Sequence, residues 1–167
     1  MTKEKKDSNI SDHCSYKEAT YSITAEKHGV KNNPTEEHLE NMKLTAEKIF
    51  EPLRSYLGAP IRVTSFYRSE KLNSKIKGRS TTSQHLKGQA MDLYALGGKT
   101  NAEMFLIIKE QLDFDQLIWE GGNYDEPEWI HVSYVSKKEN RNNVLKMVRK
   151  GSSQSYRPFD GCSSCNA

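Results

Sequence analysis

Residues 83–92 read SQHLKGQAMD, and within this segment His85 and Asp92 are separated by six residues. The pattern predicts a strand over Ala90 to Tyr94, so Asp92 lies in a strand and His85 in the loop before it. Gly88 between them lets the backbone turn closely. The segment therefore predicts that the two side chains can point at one metal ion.

A third candidate ligand lies in the segment WIHVSY, residues 129–134. Strand alternation sends Ile130 and Val132 to one face of the sheet and His131 to the other, so His131 need not be a core residue. Two histidines, one carboxylate and one position left for water form the ligand shell of a catalytic zinc ion. The same residue types also form the facial triad of iron oxygenases. Six residues between histidine and aspartate, and long helices between the strands, are not typical of that class.

The clearest predicted helix extends from Pro34 to Leu57, where apolar residues recur at intervals of three and four, as one buried helix face requires. These residues are Leu39, Met42, Ala46, Ile49, Phe50, Leu53 and Leu57. We expect Asn33 to cap the start of this helix and Gly58 to end it. Pro52 is expected to kink the last turn because proline cannot donate a helical hydrogen bond.

The other segments predict shorter helices and strands. Two helices are expected, one over Glu70 to Ile76 and one that begins with a capping box between Thr100 and Glu103. Strands are expected over Ile61 to Ser65, Ala90 to Tyr94, Phe114 to Trp119 and Trp129 to Val135, the last two as a hairpin through residues 121–123. Asn140 to Arg149 fits either a strand or a helix. Helices before and between a few antiparallel strands predict an α+β domain.

The two ends of the chain lack apolar periodicity. Among 167 residues, 35% are hydrophobic, which is low for a globular chain and predicts polar ends. We expect a flexible arm over residues 1–20, one folded domain over residues 21–150 and a flexible tail over residues 151–167. Cys162 and Cys165 have the spacing of half a zinc-finger site, but no second pair follows, so incidental thiols in a solvated tail are the simpler interpretation.

Charge and hydropathy exclude two classes of partner. The 25 basic and 22 acidic residues give a net charge of +3 that is spread along the chain, which does not predict binding to nucleic acid. The longest unbroken apolar stretch, Met104 to Ile108, is far shorter than the ~18 residues that a membrane-spanning helix needs, so no membrane insertion is expected. Met1 to Tyr16 is rich in lysine but has no apolar stretch behind it, so no signal peptide is expected.

Residues 83–92 match the pattern S-x-H-x-x-G-x-A-x-D, which resembles the signature of the zinc D-Ala-D-Ala carboxypeptidase and Hedgehog-like superfamily. Residues 129–133 resemble the strand that brings the third ligand in that superfamily. Residues 65–69, which read SFYRS, are similar to its S-G-Y-R-S segment, with Phe66 in place of the usual glycine. The resemblance covers about Tyr21 to Lys150 and is closest to short phage-type and bacterial carboxypeptidase domains.

This resemblance implies both a fold and a function. The implied fold is α+β, with a small antiparallel sheet and flanking helices, in which His85, Asp92 and His131 hold zinc. The implied activity is hydrolysis of an amide bond in peptidoglycan stem peptides, of the D,D-carboxypeptidase or endopeptidase type, by an endolysin-like or wall-remodelling enzyme that acts as a monomer. A chain without a signal peptide would be cytoplasmic as synthesised and act at the cell wall after release. The alternative is a non-catalytic zinc-containing binding module, as the Hedgehog resemblance implies.

Two glutamates compete for the role of general base. Glu128 forms Glu-x-x-His with His131, which resembles the D-Ala-D-Ala dipeptidases of the superfamily. An offset of three, however, puts Glu128 on the opposite face of a regular strand. Glu120 ends the preceding strand, and a hairpin could bring it across to the metal, as the resemblance to Hedgehog proteins implies. Both glutamates remain candidates.

Three further residues are candidates for contact with the substrate. Arg68 offers fixed, paired donors that suit a developing oxyanion or a substrate carboxylate. Ser83 and Gln84 could hydrogen-bond the peptide or orient the loop of His85. Phe66 adds bulk next to Arg68, so the departure from glycine is expected to affect substrate specificity more than metal binding.

Overall fold

A computed structural model describes residues 9–78, 80–151 and 153–162 of the protein. Its strands are β1 (Asn9–Ser11), β2 (Cys14–Ser15), β3 (Ile61–Ser65), β4 (Ala90–Ala95), β5 (Gln116–Glu120), β6 (Trp129–Ser133), β7 (Asn143–Lys150) and β8 (Ser153–Pro158). β1 and β2 pair with each other, and the other six form one sheet in the order β3-β4-β6-β5-β7-β8. Neighbours in this sheet are antiparallel except β5 and β7, which are parallel.

Helices lie before and between these strands, which confirms the α+β prediction. They are α1 (Tyr16–Thr20), α2 (Ile23–Lys27), α3 (Glu36–Thr45), α4 (Glu51–Leu57), α5 (Glu70–Asn73) and α6 (Asn101–Gln111), with a π-helical segment (Ala46–Phe50) between α3 and α4 and a 3-10 turn (Gln84–Lys87) before β4. The predicted capping box between Thr100 and Glu103 starts α6. The ambiguous segment after Asn140 is a strand, β7.

The predicted long helix is present as α3, the π-helical segment and α4. Its cap is Thr35 instead of Asn33, because the Thr35 hydroxyl accepts from the His38 backbone N–H while the His38 ring accepts from the Thr35 N–H. Gly58 ends the helix in the left-handed conformation, φ 65°, as predicted.

Pro52 affects the helix in the turn before it. Proline has no backbone N–H, so the regular i to i−4 ladder cannot continue through this turn. The ladder widens there, and the Glu51 N–H bonds to the Ala46 carbonyl, five residues back. The distortion is thus a π-helical turn before Pro52, whereas the prediction was a kink in the last turn.

The sheet buries one of its faces against α6 and the apolar side of the long helix. Leu117, Trp119, Ile130 and Val132 alternate along β5 and β6 and are fully buried in this core. The Phe105 ring of α6 meets Trp119 edge to face, with ring centroids 5.2 Å apart. Alternate residues of the same strands project from the other face of the sheet.

Backbone pairing places specific side chains side by side on that other face. Asp92 of β4 pairs with His131 of β6, which pairs in turn with Ile118 of β5. Two residues further along β5, Glu120 pairs with Trp129, which confirms the predicted β5–β6 hairpin. Asp92 and His131 are therefore direct neighbours, and Glu120 projects from the same face one row away.

The N-terminal segment differs from the flexible arm that the sequence predicted. Ile10, Cys14, Tyr16 and Ala19 are buried in the main core. The ring and backbone N–H of His13 both bond to the Glu51 carboxylate, at 2.7 and 2.9 Å. Short elements with isolated apolar residues carry no helical or strand period, so the pattern could not reveal them.

The C-terminal segment also differs from the predicted tail. Residues 153–158 form β8 at the edge of the sheet, and Phe159 packs on Phe105 with ring centroids 4.7 Å apart. Cys162 is fully buried and disulfide-bonded, so it is not a solvated thiol; Cys165 lies outside the described residues. Every residue of β8 is exposed, so its sequence does not alternate. No helix within the described ranges is long and apolar enough to cross a membrane.

Candidate active site

A cleft of about 550 Å³ opens on the face of the sheet opposite α6. Its floor is built from residues of β4, β5, β6, β7 and β8, and residues 76–78, 80 and 82–85 contribute to its rim. All predicted site residues except Glu128 line it, namely Arg68, Ser83, Gln84, His85, Asp92, Glu120 and His131. The structure therefore brings together residues that lie up to 63 positions apart in the sequence.

Three potential metal-ligand atoms converge at the centre of this cleft. His85 Nε2 lies 3.2 Å from Asp92 Oδ1, His131 Nδ1 lies 3.0 Å from the same oxygen, and the two ring nitrogens are 3.3 Å apart. Among the described residues, these three form the group of histidine, cysteine and carboxylate side chains that could hold a metal ion.

The donor set fits a zinc ion. Ligands arranged tetrahedrally at about 2.0–2.1 Å from zinc lie about 3.3 Å from one another, close to the three distances found here. The Nδ1 atom of His85 lies 2.7 Å from the Phe66 carbonyl, which can only accept, so Nδ1 carries the proton and Nε2 presents a lone pair to Asp92. Facing lone pairs repel unless a cation or a proton lies between them. The arrangement is thus suited to a cation with two nitrogen ligands and one oxygen ligand.

The loop of His85 is fixed by the segment that resembles S-G-Y-R-S. Besides the bond to the Phe66 carbonyl, the His85 carbonyl accepts from the Arg68 backbone N–H at 3.1 Å. The Phe66 side chain is 1% exposed, is part of the core and does not line the cleft. The departure from glycine therefore adds bulk to the core, whereas the prediction was an effect next to Arg68 in the cleft.

Gly88 lets the same loop approach the long helix. Its φ is 70°, and a Cβ atom there would lie 2.7 Å from the His38 carbonyl oxygen and 2.7 Å from Met42 Cγ. Asn41 donates to the carbonyl of Lys87, beside this contact. The predicted close turn is thus required both by backbone conformation and by space.

Arg68 and Asp92 form an ion pair inside the cleft. Arg68 Nη2 donates to Asp92 Oδ2, the oxygen that does not face the histidines, and Arg68 Nε donates to Ser65 Oγ at 2.8 Å. The Arg68 side chain is only 17% exposed, so this is not a surface salt bridge. Burial alone would raise the pKa of Asp92, but the neighbouring His85 and His131 outweigh burial and hold the pKa well below its usual range. Asp92 is therefore an ionised carboxylate.

Glu120 lies in the cleft, one row from His131. It is 6% exposed, and burial raises its pKa to about 7. The charge of Asp92 raises the pKa further, whereas His131 and the Tyr156 hydroxyl lower it. A carboxyl group with a pKa near 7 can accept and return a proton near neutral pH.

Glu128 lies outside the cleft. Its backbone N–H bonds to the Glu120 carbonyl at 2.9 Å, so the two residues face each other across the hairpin. The Glu128 side chain is 45% exposed and pairs with Arg149, with contacts at 3.0 and 3.2 Å. The offset of three from His131 thus puts Glu128 on the wrong side, as strand alternation indicated.

Gln84 and Ser83 line the cleft beside His85. The Gln84 amide donates to Asp115 Oδ2 at 2.9 Å, so Gln84 fixes the His85 loop to the start of β5. Burial alone would raise the pKa of Asp115, but hydrogen bonds from Arg141 and Gln84 outweigh it and lower the pKa.

The sequence interpretation missed Arg141, Gln154 and Tyr156, which also line the cleft. All three follow β6. Tyr156 pairs with Met147 of β7, and the charge of Glu120 contributes, after burial, to a raised Tyr156 pKa of about 12. The sequence left Asn140 to Arg149 open between a strand and a helix, and the strand alternative was the one available signal, because a strand there needs a partner strand.

Comparison with protein families places most of the chain in a known family. The sequence model of the family described as Peptidase M15 matches residues 12–133, well over half of the chain. No curated protein sequence matches significantly. The matched region contains the three potential metal ligands and both candidate glutamates, and it ends at the last residue of β6.

Proposed function

The chain belongs to the peptidase M15 family, and from this we propose that it is a zinc-dependent metallopeptidase that cleaves an amide bond in peptidoglycan stem peptides. The observation that carries the proposal is the position of Glu120. This buried glutamate lies in the cleft that contains the His85, Asp92 and His131 cluster, whereas a binding module would have no need of a proton acceptor there.

The three clustered side chains are proposed to hold zinc. When bound, zinc lowers the pKa of a coordinated water towards about 7 and polarises the substrate carbonyl. The bond from His85 Nδ1 to the Phe66 carbonyl keeps the His85 ring oriented with Nε2 toward the cluster, and Arg68 keeps Asp92 oriented with Oδ1 toward the histidines.

Glu120 is proposed as the general base. Its carboxylate takes a proton from the attacking water and returns the proton to the leaving amine. Burial raises its pKa to about 7, which matches that exchange near neutral pH. Glu128 has no part in the reaction in this scheme.

Arg68 is proposed to act in the cleft through the donors that Asp92 and Ser65 leave unused. The guanidinium Nη1 has two N–H groups that can stabilise the developing oxyanion or bind a substrate carboxylate. Ser83 and Gln84 are proposed to support the loop of His85, with Ser83 also able to contact the peptide.

The experiment that tests this function is mass spectrometry of purified peptidoglycan fragments after incubation with the protein. It is run as purified, with a chelator, and with zinc added back. Products that require metal and whose masses identify the cleaved amide bond are the expected result. A protein that binds zinc stoichiometrically and releases no product from any stem peptide would instead be the non-catalytic binding module.

Single-residue variants test the ligand assignment. His131→Ala is expected to lose stoichiometric zinc and to reduce the cleavage rate by about 10³-fold or more, with the fold retained by circular dichroism. His28→Ala is the matched control, because His28 is an exposed histidine at the end of α2. Normal zinc content in His131→Ala would refute the assignment.

A further inference from the structure

A buried carboxylate, Asp115, lies beside the cleft just before β5. Its side chain is 2% exposed and accepts hydrogen bonds from Gln84 Nε2 at 2.9 Å and from the backbone N–H and Nε of Arg141 at 3.0 and 2.8 Å. Arg141 Nη2 bonds to its second oxygen. Because a buried charge is costly unless it is paired, this fork holds the Arg141 guanidinium in one place.

Only one edge of the Arg141 guanidinium is used by Asp115. The Arg141 side chain is 57% exposed and lines the same cleft as the candidate metal ligands. Within the part of the chain that the structure describes, Nη1 has no hydrogen-bond partner. The outer edge of the guanidinium therefore offers two more N–H groups in one plane, a geometry that matches the two oxygens of a carboxylate.

Arg141 lies at the end of the cleft far from Glu120. Asp115 precedes Gln116, the first residue of β5, whereas Glu120 is the last, so at ~3.4 Å per residue the two ends of the strand are about 14 Å apart. An extended peptide spans this distance in about four residues. Fewer residues are needed because the arginine side chain covers part of the distance. A group bound by Arg141 thus belongs to a residue about two to four positions from the bond beside Glu120.

We propose that Arg141, held by Asp115, forms a subsite for an internal carboxylate of the peptide substrate. This inference rests on the proposed peptidase function. Lys77 lines the same cleft and adds positive charge that favours an anionic ligand. The terminal carboxylate of a substrate cut at its last peptide bond is only one residue from that bond, too close to Glu120 to reach Arg141.

The test compares two stem pentapeptides that differ only at their internal acidic positions, which are carboxylates in one and carboxamides in the other. We expect kcat/KM to be about tenfold higher for the carboxylate peptide, mainly through KM. Dissociation constants measured with a chelator, where cleavage stops, are expected to show the same preference. A third peptide has internal carboxylates and a terminal carboxamide. The change in kcat/KM caused by amidating the terminus is expected to be the same in wild type and in the Arg141 variants.

The variants isolate Arg141 from general charge and stability effects. Arg141→Gln is expected to reduce the preference to about twofold or less. Arg149→Gln removes the same charge from β7 outside the cleft and is expected to keep the preference. Because Arg141→Gln leaves Asp115 buried with fewer partners, the double variant Arg141→Gln with Asp115→Asn, which restores a neutral pair, is measured beside it.

The outcomes separate the subsite from the reaction. Equal dissociation constants for the two pentapeptides, or a preference that survives in the double variant, overturn the subsite. Cleavage of both pentapeptides at equal kcat/KM refutes the subsite and leaves the peptidase function intact. An Arg141-dependent preference in binding, without cleavage of either peptide, supports the subsite and refutes the peptidase function.

Discussion

The four strands β3, β4, β6 and β5 and the C-terminal hairpin of β7 and β8 contribute to one cleft in different ways. The four strands and their loops supply side chains that are almost inaccessible to water, with His85 at 2%, Asp92 at 8% and Glu120 at 6% exposed. The hairpin supplies Tyr156 from an edge strand, and Tyr156 is 49% exposed. The region matched by the family ends between them, after β6.

This difference in burial predicts which residues are essential for the reaction and which only modify its rate. Burial raises the pKa of Glu120 and keeps water from the three candidate ligands. Large effects on activity are therefore expected from residues of the four strands. An exposed edge strand can add a hydrogen bond but cannot desolvate a charge, so smaller effects are expected from the hairpin.

The largest expected difference is between Glu120 and Glu128, which face each other across the β5–β6 hairpin. Glu120→Gln is expected to reduce kcat about 10²–10⁴-fold with zinc binding retained, because it removes proton transfer alone. Glu128→Gln is expected to change kcat by less than about twofold, since it breaks only an exposed ion pair with Arg149. Steady-state kinetics and zinc content of both variants show which of the two glutamates is the general base. A larger loss in Glu128→Gln would reverse the assignment.

The second prediction concerns the stability of the metal-free protein. The pKa of Glu120 is about 7 in the folded state and about 4.5 in the unfolded chain, so the folded state holds the proton more tightly. Glu120 therefore lowers stability progressively as pH rises from about 4.5 to 7, by about 3 kcal/mol at most. Glu120→Gln is expected to gain stability relative to wild type over that range and to differ little below pH 4.5 in this respect. Denaturant unfolding with a chelator at pH 4.5 and 8 measures it; a pH-independent difference contradicts it.

The third prediction tests why the loop of His85 requires glycine. Gly88→Ala combines positive φ with a clash against the His38 carbonyl, so the free energy of unfolding is expected to fall by about 2–3 kcal/mol. Gly58→Ala is the matched control, because Gly58 also has positive φ (65°) but has no atom within 4 Å of the added Cβ. It is expected to lose about 1 kcal/mol. Equal losses in the two variants would show that close packing at Gly88 contributes nothing.

The parts of the site that could be predicted from the sequence are those set by local periodicity. The loop-to-strand pattern around Gly88 and the alternation around His131 were compatible with a shared metal ion. The resemblance to the carboxypeptidase and Hedgehog-like superfamily then implied which residues would hold it. Alternation also indicated that Glu128 faces away. It could not rank Glu120 above Glu128, because the choice depends on how residues 121–128 turn and on what buries Glu120, both of which are tertiary properties.

The remaining residues were hidden for a different physical reason. β8 is exposed along its whole length, so selection for burial imposes no alternation on residues 153–158. Arg141 is held by Asp115 across 26 positions through side-chain contacts that no local pattern encodes. These residues can be assigned to the cleft only once the sheet order is known, in which β7 lies beside β5 and β8 beside β7.

The smallest expected effect comes from Tyr156 of the hairpin. Across the sheet, Trp119 pairs with Lys146 and Met147 pairs with Tyr156, so Glu120 and Tyr156 project from the same face on either side of Met147. Burial and then the charge of Glu120 raise the pKa of Tyr156 to about 12, so the phenol keeps its proton and can donate toward Glu120.

Tyr156→Phe removes the hydroxyl that can donate to Glu120, and the loss of one hydrogen bond in the reacting complex corresponds to about 1 kcal/mol or a three- to tenfold loss of kcat. Tyr56→Phe on α4, another exposed tyrosine, is expected to have no effect. Because the Tyr156 hydroxyl lowers the pKa of Glu120, the acid limb of the kcat profile is expected to move to higher pH in Tyr156→Phe. A loss as large as that of Glu120→Gln would instead place Tyr156 in the reaction itself, and the hairpin would then carry chemistry that the buried strands were expected to hold alone.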